Sequence, residues 1–497
     1  MENKRPNIVM IIPDTYRGDV LGHLGNEGAH TPNLDSLKKH DAITFSNAYC
    51  QCPVCTPSRC SFMTGWYPHV AGHRSMRHML QPHEPNLLRE LKEFGYFIWW
   101  GGKNDLVPAQ LGYEPYCHVK YVAPHSKERP LRRDLHNYDT WRGNRDEDTF
   151  YSFYYGKIEN DSGKDYVYDS DWAMVEGALD FINRWSSDQP FCLLLTIEFP
   201  HPPYACEDPW YSLIDRDKVP RRISTPSNWD NKPSILKGIY DNQGLQNWSE
   251  ERFLELKSTY YAMCARVDEQ VGMIVDALQA KGFYDETAVF FFSDHGDFTG
   301  DYGLVEKVVN CMQDDLTRVP LIIKPPRWLH PKGHANSALV ELIDIRATVE
   351  ELTGLPKTYT HYGRSLLPLF QGTRTVWRDA VFCEGGRNPG ESHVAGDVPE
   401  DHLYWPKCSL QVKDGPHNTK AVMCRTTSHK YIYRLEEKDE LYDMKEDPEE
   451  LTNQVDNPNY QGIAKELRRR ILYFMVKTCD VVPWKKDARG DGSYLRI

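Results

Sequence analysis

The sequence predicts an α/β fold, with a large domain built on a mostly parallel sheet flanked by helices and a smaller C-terminal α+β domain. Two observations carry this prediction. Several apolar runs of strand length are continuous rather than alternating, which is typical of strands buried on both faces of a parallel sheet. Between these runs, apolar residues recur every three or four positions, as in amphipathic helices. The 497 residues suffice for one large domain and a smaller one.

Four apolar runs predict buried strands, and polar residues follow each run closely. The runs cover residues 8–12, 96–100, 191–197 and 287–292. Ligands of parallel α/β sheets bind beyond the carboxyl ends of the strands. We therefore expect the following polar side chains to converge at one edge of the sheet: Asp14, Lys103, His201, Asp294 and His295.

Three helices are predicted from their end signals and their periodicity. Thr31 is a candidate cap before Pro32, which suits the first turn of a helix. Apolar residues at every third or fourth position of residues 253–278 predict a long core-packing helix that Gly282 ends. A third helix is predicted at residues 463–477, beside a short antiparallel sheet of the smaller domain.

The run Cys-x-Pro-Ser-Arg at residues 55–59 is the most informative segment of the chain. Pro57 fits the first turn of a helix, and Gly65 suits the position just past its end. Cys55 would then lie at the positive end of this helix, with Arg59 one turn along. Backbone N–H groups there favour a thiolate or the anionic group of a bound ester. A buried structural cysteine and a zinc-stabilised binding protein stay open as alternatives. The zinc site would use Cys50, Cys52, Cys55 and Cys60.

Composition argues against two classes of partner. The formal net charge of −12 disfavours nucleic-acid binding, so an anionic substrate must meet a local basic site. No run of about eighteen apolar residues is present, and the N-terminal apolar run is short, so we expect no membrane partner and a cytoplasmic location. Thirteen cysteines cannot all pair within one chain, which favours a reducing compartment.

Carboxylates and a histidine at strand ends suit a divalent cation. Asp14 and Asp294 supply hard oxygens, and His295 supplies a nitrogen. A single Asp at a strand end is more often a cap or a turn residue. The joint occurrence of the three side chains predicts a metal site.

Motifs along the whole chain resemble the formylglycine-dependent (type I) sulfatases of the alkaline phosphatase superfamily. The pentapeptide at residues 55–59 is similar to the sequence that formylglycine-generating enzymes read. The other matching segments are residues 6–8, 31–35, 61–65, 102–103, 200–202, 293–296 with Lys307, and 440–443 with 447–448. The resemblance implies an alkaline-phosphatase-like large domain and hydrolysis of a sulfate monoester. The expected substrate is a small molecule or an oligosaccharide, with a sulfated carbohydrate as the first choice.

The resemblance also implies a nucleophile and a metal centre. Cys55 would be converted to formylglycine by a maturation enzyme, and the aldehyde hydrate would attack sulfur. Position 55 would hold one divalent metal together with Asp14, Asp294 and His295. Arg59 would bind the formylglycine hydroxyl and neutralise charge.

Further matched residues are implied to bind the substrate and move a proton. Lys103 and Lys307 would bind the sulfate oxygens. His201, with Lys307, would bind substrate and protonate the leaving alcohol. Asp105 stands where many sulfatases have a histidine, and it would orient Lys103, bind a sugar hydroxyl or serve as a turn residue.

A second departure concerns the metal. Many sulfatases have two adjacent Asp residues after the first strand, whereas this chain has Asp14 followed by Thr15. The family implies calcium, but the lost carboxylate weakens calcium binding and makes Mn²⁺, Mg²⁺ or Zn²⁺ more plausible. Phosphonate monoester hydrolases of the same superfamily also lack the second Asp. A phosphonate monoester or phosphodiester hydrolase is therefore the alternative function.

The organisation expected from these motifs is a catalytic domain at residues 1–376 and a C-terminal subdomain at residues 377–497. Long polar stretches at residues 119–165, 219–244 and 385–419 are expected to be binding loops. A homo-oligomer stays open. Three residues that follow the nucleophile helix are expected to line the substrate pocket: His73, Arg77 and His78.

Overall fold

The computed structural model describes residues 5–124, 131–132, 135, 137–160, 166–370 and 377–486. The strands in these ranges are β1 Asn7–Pro13, β2 Ile43–Tyr49, β3 Phe97–Gly102, β4 Val119–Tyr121, β5 Tyr154–Ile158, β6 Phe191–Ile197, β7 Tyr204–Glu207, β8 Thr287–Phe292, β9 Arg318–Val319, β10 Leu321–Lys324, β11 His334–Glu341, β12 Val381–Gly385, β13 Ala421–Arg425, β14 His429–Arg434 and β15 Glu440–Asp443. The helices are α1 Pro32–His40, α2 Cys55–Thr64, α3 Pro68–Ala71, α4 Leu87–Glu93, α5 Ser170–Arg184, α6 Trp210–Leu213, α7 Ser234–Gln243, α8 Glu250–Ala280, α9 Asp314–Thr317, α10 Ile343–Thr353, α11 Leu367–Phe370, α12 Trp405–Gln411 and α13 Gln461–Thr478.

The large sheet confirms the predicted parallel core. Its strand order is β11-β2-β10-β8-β1-β6-β3-β4, and β9 pairs with β2. The four strands predicted from apolar runs are the neighbours β8, β1, β6 and β3, and they pair with one another in parallel. Only toward one edge does the direction change, because β10 runs antiparallel to both β8 and β2. All four carboxyl ends therefore lie at the same edge of the sheet.

The central strands are buried on both faces, as their continuous apolar character predicts. Alternate residues of β1 point to opposite sides. Ile8 and Met10 belong to a core that includes side chains of α2, α4 and α10. Val9 and Ile11 belong to a second core, formed with α1, α5 and α8. The architecture is therefore a three-layer α/β arrangement.

Helix ends agree with the sequence prediction at α1, α2 and α8. Pro32 is the first residue of α1 and Thr31 is its N-cap residue, but the Thr31 hydroxyl donates to an Asp35 carboxylate oxygen at 3.0 Å and makes no capping hydrogen bond. Cys55 is the first residue of α2, and Gly65 ends the helix with a left-handed φ of 72°. Gly282 follows α8 with a φ of 74°.

The C-terminal sheet and helix are present as predicted. Strands β12, β13, β14 and β15 form an antiparallel sheet in chain order, and α13 packs against it through a third apolar core. The N–H of Glu384 in β12 donates to the carbonyl of Gln51 at 2.9 Å, which joins this sheet to the segment before α2. The expected boundary between residues 376 and 377 borders residues 371–376, which lie outside the described residues. The division into two domains stays a prediction.

The three predicted loop stretches contain short elements. Strands β4 and β5 lie in residues 119–165, although residues 125–130, 133, 134, 136 and 161–165 are outside the described ranges. Helix α7 lies in residues 219–244, and α12 lies in residues 385–419. No helix in the described parts of the chain combines the length and the apolar character needed to cross a membrane.

Candidate active site

The polar residues that follow the four central strands converge at the carboxyl edge of the sheet, together with the N-terminus of α2. The backbone N–H of Asp14 continues the sheet by donating to Ile197 of β6 at 3.0 Å. Its carboxylate accepts a hydrogen bond from Lys103 Nζ at 2.6 Å. Cys55 Sγ lies 3.5 Å from the other oxygen of Asp14. Parallel strand direction thus places residues from distant parts of the sequence in one cluster.

Four buried side chains form a cluster that can hold a metal ion. One ligand atom from each of Asp14, Cys55, Asp294 and His295 lies within 4.8 Å of all the others. His295 Nδ1 is 2.9 Å from the carbonyl oxygen of Gly296, so Nδ1 carries the proton and donates it there. The Nε2 lone pair then faces the cluster, 3.2 Å from Cys55 Sγ. Burial lowers the pKa of His295, which keeps the ring neutral and able to ligate.

Arg59 bridges the two carboxylates of this cluster, Asp14 and Asp294. Its Nε donates to Asp294 at 2.8 Å, and its terminal nitrogen donates to Asp14 at 3.1 Å. Only 2% of the Arg59 side chain is exposed, so these are buried ion pairs. Although burial opposes the charge, Asp294 and Asp14 raise the pKa of Arg59. The guanidinium therefore stays charged and holds both carboxylates in place.

The surroundings of Cys55 favour a thiol over the thiolate that its position at the helix N-terminus suggests. Burial raises the pKa of Cys55, and the carboxylate of Asp14 acts in the same direction. The nearby Lys103 ammonium, 3.7 Å from Sγ, opposes this rise without cancelling it. A position at the N-terminus of a helix does not create a thiolate when carboxylates lie this close.

The four cysteines proposed for a zinc site do not form one. Cys55 belongs to the cluster with Asp14, which is the sole group of metal-ligating side chains that the described residues contain. Cys50 Sγ instead contacts the carbonyl oxygen of Leu316 at 3.8 Å. The zinc alternative is therefore wrong.

Lys103 lies between two carboxylates and the cysteine. Its Nζ is 2.6 Å from Asp14 and 3.0 Å from Asp105. Burial opposes the charge of Lys103, but these carboxylates raise the pKa of the amine well above its usual value. Asp105 has a left-handed φ of 40°, so it is both a turn residue and the partner of Lys103. The structure thus unites two of the three interpretations of Asp105.

His201 and Lys307 form a directly bonded pair. Lys307 Nζ lies 2.6 Å from His201 Nε2, and His201 Nδ1 lies 2.6 Å from the carbonyl oxygen of Pro202. The carbonyl can only accept, so Nδ1–H donates to it and Nε2 accepts from the ammonium. Burial and the Lys307 charge lower the pKa of His201 to about 3. The imidazole is therefore neutral at neutral pH.

Two site residues were not predicted from the sequence. Glu306 accepts an ion pair from Lys307 at 2.8 Å, and it also pairs with Lys407 from α12. Against burial, Lys307 and Lys407 lower the pKa of Glu306 to about 2. Glu306 directly precedes Lys307, a predicted site residue, so its position in the sequence indicated a role in the site. No local sequence pattern indicated Lys407.

Thr15 does not serve as a metal ligand in place of a second carboxylate. Its hydroxyl donates to the carbonyl of Asp14 at 2.6 Å. Its backbone is left-handed, with a φ of 65°, and its carbonyl accepts from the hydroxyl of Tyr260 at 2.7 Å. The metal-ligating cluster therefore contains two carboxylates, as the sequence predicted.

A cavity of about 260 Å³ is lined by Val54, the residue before Cys55, and by Lys407, the partner of Glu306. Its far wall comes from residues 386–418, so the third predicted loop does contribute to a pocket. Of the three residues expected to line it, only Arg77 does. His73 bonds to Glu84 at 3.0 Å, and His78 bonds to a neighbouring hydroxyl, so both are held by local contacts.

The fold and the site together define a hydrolase of anionic esters from the alkaline phosphatase superfamily. A parallel α/β sheet carries a buried Asp-Asp-His-Cys cluster and two lysines at its carboxyl edge. The family model described as Sulfatase matches residues 6–355. The chain belongs to the sulfatase family and is a sulfuric ester hydrolase.

Individual relatives agree with this assignment. An arylsulfatase of Clostridium perfringens is 25% identical over 94% of this chain and 94% of its own length. Among solved structures, a phosphonate monoester hydrolase of Agrobacterium radiobacter has a TM-score of 0.72 at 21% identity, covering 95% of this chain and 96% of that one. A 2-O GAG sulfatase has a TM-score of 0.70 at 21% identity, covering 95% and 92%. These two structures share the fold.

Proposed function

We propose that the mature protein hydrolyses a sulfate monoester of a carbohydrate, using formylglycine made from Cys55 and one divalent cation. The position of Cys55 is the observation that carries the proposal. Its Sγ lies at the N-terminus of α2, 3.2 Å from His295 Nε2 and 3.5 Å from Asp14. No other cysteine in the described residues belongs to a group of metal-ligating side chains. The resemblance of the fold to a 2-O GAG sulfatase supports the choice of a carbohydrate.

The donor set fits a divalent cation. Two carboxylates, a neutral imidazole nitrogen and the side chain at position 55 would hold it. When bound, the cation would polarise the ester oxygens and lower the pKa of the formylglycine hydroxyl. Calcium is the candidate that the family suggests, whereas the missing carboxylate at Thr15 and the nitrogen of His295 favour Mn²⁺, Mg²⁺ or Zn²⁺.

The chain's own cations would bind the sulfate group. Lys103 Nζ is 3.7 Å from Cys55 Sγ, so it can reach an ester that approaches position 55. Lys307 lies on the other side, paired with Glu306. We assign to both lysines the binding of sulfate oxygens as charge spreads over them in the transition state. Arg59 is buried beneath the carboxylates, where it fixes the cluster.

The geometry favours Lys307 as the immediate proton donor to the leaving alcohol. At neutral pH the Nδ1–H of His201 is bonded to Pro202, and its Nε2 accepts from Lys307. The imidazole therefore has no spare proton to give. Lys307 is charged, because Glu306 raises its pKa in spite of burial. We propose that Lys307 gives the proton and that His201 orients the ammonium.

The residues that follow position 376 would complete the substrate pocket. Segment 386–418 forms one wall of the cavity beside Val54. We therefore propose a catalytic domain at residues 1–376 and a subdomain at 377–497 that shapes specificity. The cytoplasmic location, the maturation enzyme as a partner and a homo-oligomer remain predictions.

Two linked measurements test the proposed function. The protein would be co-produced with a formylglycine-generating enzyme, and its peptides analysed by mass spectrometry. Cys50, Cys52 and Cys55 share the tryptic peptide of residues 40–59, so fragment ions must place the aldehyde at Cys55. The modified protein is then assayed on sulfate esters with each cation added after chelation. An aldehyde confined to Cys55 and cation-dependent hydrolysis support the proposal, and a modified protein that hydrolyses no sulfate ester contradicts it.

A phosphonate monoester or phosphodiester hydrolase is the second candidate. The observation that favours it is the side chain of Thr15, which turns to the Asp14 carbonyl and leaves two carboxylates in the cluster. Paired aryl sulfate and aryl phosphonate esters with the same leaving group separate the two functions. A higher kcat/KM on the phosphonate would assign the second.

A further inference from the structure

The cavity lined by Val54 and Lys407 is rich in basic residues, although the protein as a whole is acidic. Four basic residues line it, and none of the described residues in its wall is an Asp or a Glu. These basic residues are Arg74, Arg77, Arg387 and Lys407. The whole chain has a formal net charge of −12, so this concentration of positive charge is local. A cleft lined by one sign of charge attracts the opposite sign.

Three of these cations are already paired. Arg74 forms a bidentate ion pair with Glu391, at 2.7 and 3.0 Å. Arg387 donates to Asp414 at 2.7 Å and to several backbone carbonyls. Lys407 pairs with Glu306, which lies at the edge of the catalytic cluster. The ion pairs of these three residues therefore stabilise the walls of the cavity.

Arg77 is different. Within the described parts of the chain its guanidinium has no hydrogen-bond or ion-pair partner, and the side chain is exposed to the cavity. Its backbone N–H is fixed by the hydroxyl of Ser75 at 3.2 Å. A Cβ added to Gly396 would lie 2.7 Å from a terminal nitrogen of Arg77, so the guanidinium packs directly on the opposite wall. The planar guanidinium of Arg77 is thus held in the cavity, and none of the described residues accepts a hydrogen bond from it.

We propose that Arg77 binds a second anionic group of the substrate, located in the alcohol portion that leaves. The inference rests on the proposed function, because it assumes that position 55 attacks a sulfate ester. The shared chemistry is a carboxylate or a second sulfate, either of which a guanidinium binds through two parallel hydrogen bonds. A cavity of about 260 Å³ is smaller than the roughly 300 Å³ lower bound for drug-sized ligands, so it suits a single ring.

Three aryl esters test the proposal: phenyl sulfate, 3-carboxyphenyl sulfate and 1,3-phenylene disulfate. Each is assayed with the wild-type protein and with Arg77→Gln, which removes the charge. Comparing the two proteins on one ester cancels the intrinsic reactivity of its leaving group. We expect Arg77→Gln to lower kcat/KM for a charged ester about 10-fold to 100-fold more than for phenyl sulfate, as for a lost charged hydrogen bond. The charged ester whose kcat/KM falls more in Arg77→Gln identifies whether Arg77 binds a carboxylate or a sulfate.

Matched controls and a binding measurement keep the outcomes separable. Arg327→Gln removes a guanidinium from the surface, where 78% of the side chain is exposed, and should affect all three esters alike. Calorimetry measures the binding of 3-hydroxybenzoate, phenol and 3-hydroxybenzenesulfonate to both proteins, and none of the three carries a sulfate ester that could be hydrolysed. If no ester is cleaved, the proposed function fails, and the calorimetry still tests Arg77. Equal losses on charged and uncharged esters, or equal binding of the anions by wild type and Arg77→Gln, would overturn the inference.

Discussion

Replacement of Lys307 by Met should separate proton donation from sulfate binding. Met has a similar length but neither a charge nor an acidic proton. Lys307 Nζ lies 2.6 Å from His201 Nε2 and 2.8 Å from Glu306, so the ammonium is held in a fixed direction. Alkyl sulfates release an alkoxide, which is more basic than an amine and depends on a donated proton. Aryl sulfates with an electron-poor ring release a stable phenolate and depend on it far less.

The expected magnitude follows from the two roles. General acid catalysis contributes about 10²-fold to 10⁴-fold, or roughly 3 to 5 kcal/mol of barrier at 1.36 kcal/mol per factor of ten. Loss of a sulfate contact affects both ester classes equally, because the transferring group is the same. We therefore expect Lys307→Met to lower kcat/KM for alkyl sulfates about 10²-fold to 10⁴-fold more than for 4-nitrophenyl sulfate.

The assay is a plot of log kcat/KM against leaving-group pKa for a series of sulfate esters. The slope should be steeper for Lys307→Met than for the wild type. His201→Gln is the matched control, since glutamine can still accept from the ammonium through its amide oxygen. Its slope should change less than that of Lys307→Met. Parallel plots for Lys307→Met and the wild type would refute the assignment of proton donation to Lys307. A steeper slope for His201→Gln than for Lys307→Met would assign proton donation to His201 instead.

Three further predictions concern stability. Arg59→Met should lower the free energy of unfolding by about 3 to 5 kcal/mol in urea, because buried Asp294 loses its ion pair with Arg59 and buried Asp14 keeps only Lys103; an unchanged midpoint would contradict this. Gly65→Ala should destabilise more than Gly282→Ala in thermal unfolding, since both have a left-handed φ but only at Gly65 does an added Cβ meet a side chain, at 2.9 Å. His201 has a folded pKa of about 3, below the ordinary 6.5, so the unfolded chain binds more protons between these values. Stability should therefore fall as the pH drops from 6.5 toward 3, by up to about 1.4 kcal/mol per pH unit more than in His201→Gln.

The central sheet could be predicted because burial on both faces leaves a continuous apolar run. That signal located β1, β3, β6 and β8, and the parallel direction of these strands then placed Asp14 and His201 at one edge. Strands β2, β10 and β11 were not predicted, and the sequence does not specify the antiparallel direction of β10. Thr31 precedes α1 as predicted, but its hydroxyl donates to Asp35, four residues along the chain, and makes no capping hydrogen bond. The sequence could place the cap residue, whereas the partner of its hydroxyl depends on the folded geometry.

The electrostatics of the site were predicted less well, because they depend on distances between remote segments. The motif around Cys55 suggested a thiolate, yet burial and Asp14 at 3.5 Å raise the pKa of the thiol. Likewise, the Pro-His motif suggested His201 as the acid, yet burial and the contact with Lys307 lower the pKa of the ring to about 3. Glu306 is the residue that links these facts, since it keeps Lys307 charged. Motifs identify which residues meet, and the structure is needed to say which of them holds the proton.

The charge balance of the whole site explains how an acidic protein can bind an anionic ester. Four cations meet four carboxylates around position 55, and the imidazoles are neutral. The cations are Arg59, Lys103, Lys307 and Lys407, and the carboxylates are Asp14, Asp105, Asp294 and Glu306. A divalent cation held as proposed would therefore give this cluster an excess positive charge, which a sulfate ester would then offset. Metal binding and substrate binding should consequently be coupled, each strengthening the other. The cavity around Arg77 extends the same logic to the leaving group, because the Arg77 guanidinium has no acidic partner among the described residues.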